Sequence, residues 1–80
     1  MISRNDVIIK INERLRSQIS DAAIAAWAFD LFYSIEQGEE EVDIESCDAI
    51  TDALDELMFA DEKPFALDDA DLYRLITRLE

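Results

Sequence analysis

Acidic side chains carry the chemistry this sequence can offer. Glu45, Asp48, Asp52, Asp55 and Glu56 recur at spacings of three and four residues, so a helix would set them on one stripe. Each like-charge pair at that spacing opposes the helix by roughly 0.2–0.5 kcal/mol. No lysine or arginine lies within a turn to relieve them. Basic residues there would keep the surface wetted equally well and would stabilise the helix. Positive charge supplied by a basic protein partner accounts for the pattern. Two other readings stand beside it, a merely solvated face in an acidic chain and divalent-cation binding. The D-x-D-x-D-G spacing of an EF-hand loop is missing. Asp61 and Glu62 extend the acid, and Phe59 beside them is an aromatic that suits a partner's basic pocket. The candidate partner-binding set is therefore Glu45, Asp48, Asp52, Asp55, Glu56, Phe59, Asp61 and Glu62.

Other chemistry is absent from the residue types themselves. With no histidine there is no Ser-His-Asp or Cys-His pair. One cysteine, Cys47, makes neither an internal disulfide nor a zinc site, and one glycine, Gly38, makes no phosphate-cradling loop. The expectation is a protein without catalytic activity, cofactor or metal. No run approaches the about 18 apolar residues of a membrane span, and no signal-peptide pattern opens the chain. The default location is the cytoplasm.

Charge distribution narrows the partner. Residues 1–16 hold four basic and two acidic side chains, and residues 63–80 hold three basic and four acidic ones. Between them, residues 17–62 hold fourteen acidic side chains and no basic one, which is slightly more than the whole net charge of −13. A surface of that sign cannot displace counterions from nucleic-acid phosphates and is repelled by anionic membranes. It attracts a cationic protein and steers it in.

These residues need helices to position them. Ser3 and Asp6 have capping-box spacing ahead of Val7, Ile8, Ile11 and Leu15, so a first helix begins at Ser3 or Asn5 and ends near Ser17. Ser20 caps a second helix from Asp21 to about Gln37, and Gly38 is its left-handed stop. That helix carries two stripes, Ile24, Trp27, Leu31, Ile35 and Ala25, Phe29, Phe32, Tyr33. Apolar nearly all round, it is expected to be the central element. Core packing is the simplest role for its aromatics; Tyr33, near the helix end, is the one that could anchor an interface instead. A third helix is expected from Ile44 to Phe59 or Ala60, with Cys47, Ile50, Leu54, Leu57 and Met58 inward and Cys47 a buried, inert thiol. Pro64 marks a loop, and Asp68 with Asp71 caps a fourth helix carrying Leu72, Leu75, Ile76 and Leu79, with Tyr73 beside that stripe. The fold expected is an all-α, compact four-helix bundle-like single domain over residues 1–80. Half the residues are hydrophobic, so a core can form. A chain this short is marginal alone, and oligomerisation or a partner would help it.

Two blocks resemble a known family. Arg14-Leu15 through Ile19-Ser20-Asp21 into Trp27-Ala28-Phe29 looks like a helix, a short turn and an aromatic-rich helix. Ala53-Leu54-Asp55-Glu56-Leu57-Met58-Phe59-Ala60, followed by Leu67-Asp68-Asp69-Ala70-Asp71-Leu72, resembles an acidic helix and a short final helix. This layout is similar to the colicin D immunity family of bacteria, with a shorter middle. The resemblance implies a small acidic helical inhibitor of a nuclease toxin that cleaves transfer RNA. Its carboxylates would meet the toxin's RNA-binding surface. Only Asp55 and Glu56 lie inside the matching motif; the other acids join them by the helical-face argument. Two alternatives remain open. One is a structural or adaptor module that homodimerises through an apolar face. The other is an acyl-carrier-like protein, to whose Asp-Ser-Leu motif Glu45-Ser46-Cys47-Asp48 is loosely similar, with Asp and Leu both replaced.

Overall fold

The computed structural model describes residues 2–62 and 67–80. Among them run four helices, α1 (Arg4–Leu15), α2 (Asp21–Glu36), α3 (Cys47–Leu57) and α4 (Asp69–Leu79). A 3-10 turn over Ile44–Ser46 precedes α3. The loop expected at Pro64 lies outside the described residues.

Local chemistry explains where these helices start and stop. At α1 the Ser3 hydroxyl accepts from the Asp6 amide and the Asp6 carboxylate accepts from the Ser3 amide at 2.9 Å, a closed capping box. Asp68 and Asp71 repeat it at α4, and the Ser20 hydroxyl accepts from the Ala23 amide at α2. Each box satisfies backbone donors that the helix itself leaves open. The helix ends match too. After α1, the Gln18 amide reaches the Glu13 carbonyl and the Ser17 amide reaches the Arg14 carbonyl, with Ser17 at φ 60°. After α2, the Glu39 amide reaches the Ser34 carbonyl and the Gly38 amide the Ile35 carbonyl, with Gly38 at φ 76°. Both are Schellman stops, one built on serine and one on glycine.

The third helix is shorter than its periodicity predicts. The Asp43 side chain accepts from the Glu45 amide, which tightens Ile44–Ser46 into a 3-10 turn. Beyond Leu57 the chain bends so that Ala60 enters the core and its carbonyl receives the Leu67 amide. Cys47 therefore stands in the first turn of α3, at the edge of the core. It is half-buried rather than buried.

Packing corrects the expected centre. α1 and α3 each pack against all three other helices, whereas α2 packs on α3 and, less extensively, on α1. The reason is geometric. Ile50, Ala53, Leu54 and Leu57 form a narrow stripe on α3 that is fully enclosed, while the apolar girth of α2 exceeds what two neighbours cover. Phe29, for which core packing is the simplest expectation, and Tyr33, the aromatic that could anchor an interface instead, are each 57% exposed. Ile24 and Ala28 hold α2 to the core formed with Val7, Ile11, Leu72 and Leu79, and Trp27 packs against its margin under the Lys10 ammonium. No buried side-chain nitrogen or oxygen among the described residues lacks a hydrogen-bond partner. The radius of gyration, 11.6 Å, equals the roughly 11.6 Å of a compact folded chain of this length. No helix among the described residues is long and apolar enough to cross a membrane.

Candidate functional site: an acidic ridge beside an aromatic groove

The acidic stripe becomes a ridge along the outer side of α3. Asp48, Asp52, Asp55 and Glu56 are all exposed, and Glu45 continues the ridge from the 3-10 turn. They face outward because Ile50, Ala53, Leu54 and Leu57 occupy the opposite side of the same helix. Phe59, Asp61 and Glu62 follow in the turn after α3 and are exposed, Phe59 at 41%. All eight expected residues are thus accessible, but they are not equivalent. The Glu56 carboxylate is hydrogen-bonded to the Arg78 guanidinium of α4. The ridge therefore receives one cation that no inspection of its own helix reveals. Asp48, Asp52 and Asp55 form the stretch that no described cation meets within salt-bridge distance.

Two grooves flank the ridge, and Asp52 borders both. Toward α4 a groove of about 300 Å³ is lined by Ala49, Ala53, Leu75, Arg78 and Leu79. Toward α2 a shallower one is lined by Phe32, Glu36, Thr51, Asp52 and Asp55. Thr51 turns its hydroxyl onto the Cys47 carbonyl at 2.8 Å, which leaves the carboxylates as the polar groups open to a ligand there. Glu36 and Phe32 were outside the expected set. Their signal was a spacing, since Phe29, Tyr33 and Glu36 fall at i, i+4 and i+7 on α2, but nothing in the sequence says which helix that side adjoins.

The remaining cations lie elsewhere. All six described basic residues belong to α1, its C-terminal cap Arg16, or α4. Arg14 ties three elements together. Its guanidinium is hydrogen-bonded to Asp21 at the start of α2 and lies 4.0 Å from Asp69 at the start of α4. The Asp21 hydrogen bond raises the Arg14 pKa above its ordinary value, outweighing the partial burial that opposes it. Arg74 pairs with Asp71 at 2.7 Å and Lys10 with Glu13 at 3.5 Å. Because α1 packs on α4 and α2 on α3, the fold sorts charge into a mixed half and an anionic half.

Chemically the ridge can attract and hold cationic groups. Among the described residues no three carboxylate or thiol side chains converge closely enough to hold a metal ion. Ser46, the residue that a carrier-protein reading would modify, is only 4% exposed and sits where the 3-10 turn meets α3. Compared with known protein families, curated proteins and solved structures, the chain matches none.

Proposed function

We propose that this chain is a non-catalytic inhibitor, immunity or antitoxin-like, that binds a basic protein partner through the outer ridge of α3. In this reading the chain acts in the cytoplasm, its partner is a nuclease toxin, and the carboxylates stand in for the phosphates of the toxin's nucleic-acid substrate. One observation carries the reading: residues 17–62, which build α2 and α3, expose many carboxylates and contain no basic residue, and Arg78 and Arg14 of the neighbouring helices engage only Glu56 and Asp21 there, although helix stability alone would favour mixed charge. Asp48, Asp52 and Asp55 repel one another along one helix, and a partner's arginines or lysines would reverse the sign of that interaction. The field of such a half also orients an approaching basic protein before contact, which raises association rates by about 10–1000-fold at low salt.

The test is co-expression with the product of the adjacent upstream gene. Growth rescue and a tight co-purifying complex are expected. Replacing Asp48, Asp52 and Asp55 together by asparagine should slow association by about 10–100-fold, while the free protein melts at the same or a slightly higher temperature. A harmless neighbour with no basic protein in the eluate, or a triple variant that associates as fast as the parent, overturns the reading. An intact triple variant that still associates with copies of itself would leave the homodimeric adaptor in its place.

A further inference from the structure

The exposed side of α2 has a composition that the acidic ridge does not explain. Ala22, Ala26, Phe29 and Tyr33 fall at i, i+4, i+7 and i+11, and all four are exposed. They form an uncharged stripe about 16 Å long, three helical turns. Scattered exposed apolar residues need no explanation; two aromatics one turn apart, on a face continued by two alanines, form a contiguous strip. The strip adjoins the α2–α3 groove, because Glu36 lies one turn beyond Tyr33 and shares the groove with Phe32, Asp52 and Asp55.

Resting on the reading of a basic partner, we infer that this face takes a cationic amphipathic helix of that partner. Its apolar side would lie on Phe29 and Tyr33, and its lysines or arginines would meet Glu36, Asp52 and Asp55. Charge and area select this occupant over a second copy of the chain. Two copies meeting symmetrically through this face would bring carboxylates against carboxylates, since residues 17–62 contain no cation. The two half-exposed rings offer about 200 Å² of aromatic surface, against about 800 Å² per partner in a stable interface. The strip therefore anchors and positions, and the carboxylates beside it must supply the rest. A uniformly charged partner surface fits less well, because it would strip water from its own charges to cover the rings. An amphipathic helix offers both surfaces at the 3.6-residue period that the strip itself has. The two alanines allow its backbone to approach closely at the end of the strip opposite the carboxylates.

The experiment uses the whole protein, isotope-labelled and titrated with a synthetic peptide of four helical turns. The peptide carries leucines at i, i+3, i+4 and i+7 and lysines elsewhere; the control has the same composition in scrambled order. Amide shifts should concentrate in residues 22–36 and 51–55, with the ordered peptide binding at least 10-fold tighter than the scramble. Phe29→Ser with Tyr33→Ser should weaken it at least 10-fold, and Asp52→Asn with Asp55→Asn should weaken it comparably. All four positions are exposed, and unchanged thermal melts check that the variants fold. Equal binding of the scramble, with only the asparagine variant impaired, overturns this inference and leaves the proposed function standing. Indifference to both variants removes both. Self-association abolished by the serine variant overturns the inference in favour of a second copy.

Discussion

Two residues sit in the same left-handed backbone conformation at the two Schellman stops, and only one is glycine. Ser17 holds φ 60° after α1 and Gly38 holds φ 76° after α2. A side chain in that region crowds its own carbonyl, at a cost of about 1–2 kcal/mol. Nothing lies within 4 Å of a Cβ placed on Gly38, so a substitution there meets backbone strain alone. Ser17→Gly should therefore stabilise the protein by about 1 kcal/mol, and Gly38→Ala should destabilise it by about the same amount. For a domain of this size each change corresponds to a shift of about 4–8 °C in melting temperature. Melts that shift in the same direction for both would contradict the account. The positive φ at Gly38 was legible in the sequence because glycine after an apolar stripe is a recognised stop. That at Ser17 was not, because serine gives no such signal.

At the scale of the elements, Arg14 is the residue that joins helices rather than ends one. It reaches the first turns of α2 and α4 from the last turn of α1. Charge-assisted hydrogen bonds contribute about 1.5–3 kcal/mol when enclosed. Here Asp21 is 42% and Asp69 66% exposed, so water screens both pairs. Arg14→Met keeps most of the stem's packing and should cost about 1 kcal/mol, measured by urea unfolding. The Arg14 pKa is raised in the folded state, so its contribution is complete below the unfolded value and is lost only as pH climbs through the folded one. Both lie beyond ordinary working pH. The cost of Arg14→Met should thus show no dependence on titration of Arg14 across the neutral range. A cost that vanishes between pH 6 and 9 would mean that another group carries the interaction.

For the whole molecule, the sorting of charge has opposite consequences for folding and for binding. The net charge of −13 is concentrated on half of a body 29 × 23 × 22 Å in extent. Carboxylates there repel one another over distances comparable to the Debye length, about 10 Å at 0.1 M salt and about 3 Å at 1 M. Added salt should therefore raise the urea midpoint of the free protein, with urea chosen because it is itself uncharged. The same salt should slow association with a basic partner, by screening the attraction that steers it. A midpoint flat between 0.02 and about 0.5 M sodium chloride would show that self-repulsion contributes nothing to stability.

Periodicity and capping chemistry sufficed to locate four helices, their caps at Ser3, Ser20 and Asp68, and the outward stripe of α3, because each depends on residues within a turn or two. The ends of α3 were not legible. They depend on the Asp43 side chain bonding ahead of the helix and on Ala60 being drawn into the core. The sequence by itself determined that residues 17–62 carry acid without base, and that Asp48, Asp52 and Asp55 share a face. Only the tertiary structure decided that Glu56 is engaged by Arg78, that Phe29 and Tyr33 face outward, and that Glu36 and Phe32 join the ridge across a groove. The physical reason is common to all three. A helix's own sequence orders its faces around its axis, but which face is covered depends on how many neighbours pack against it and from which side.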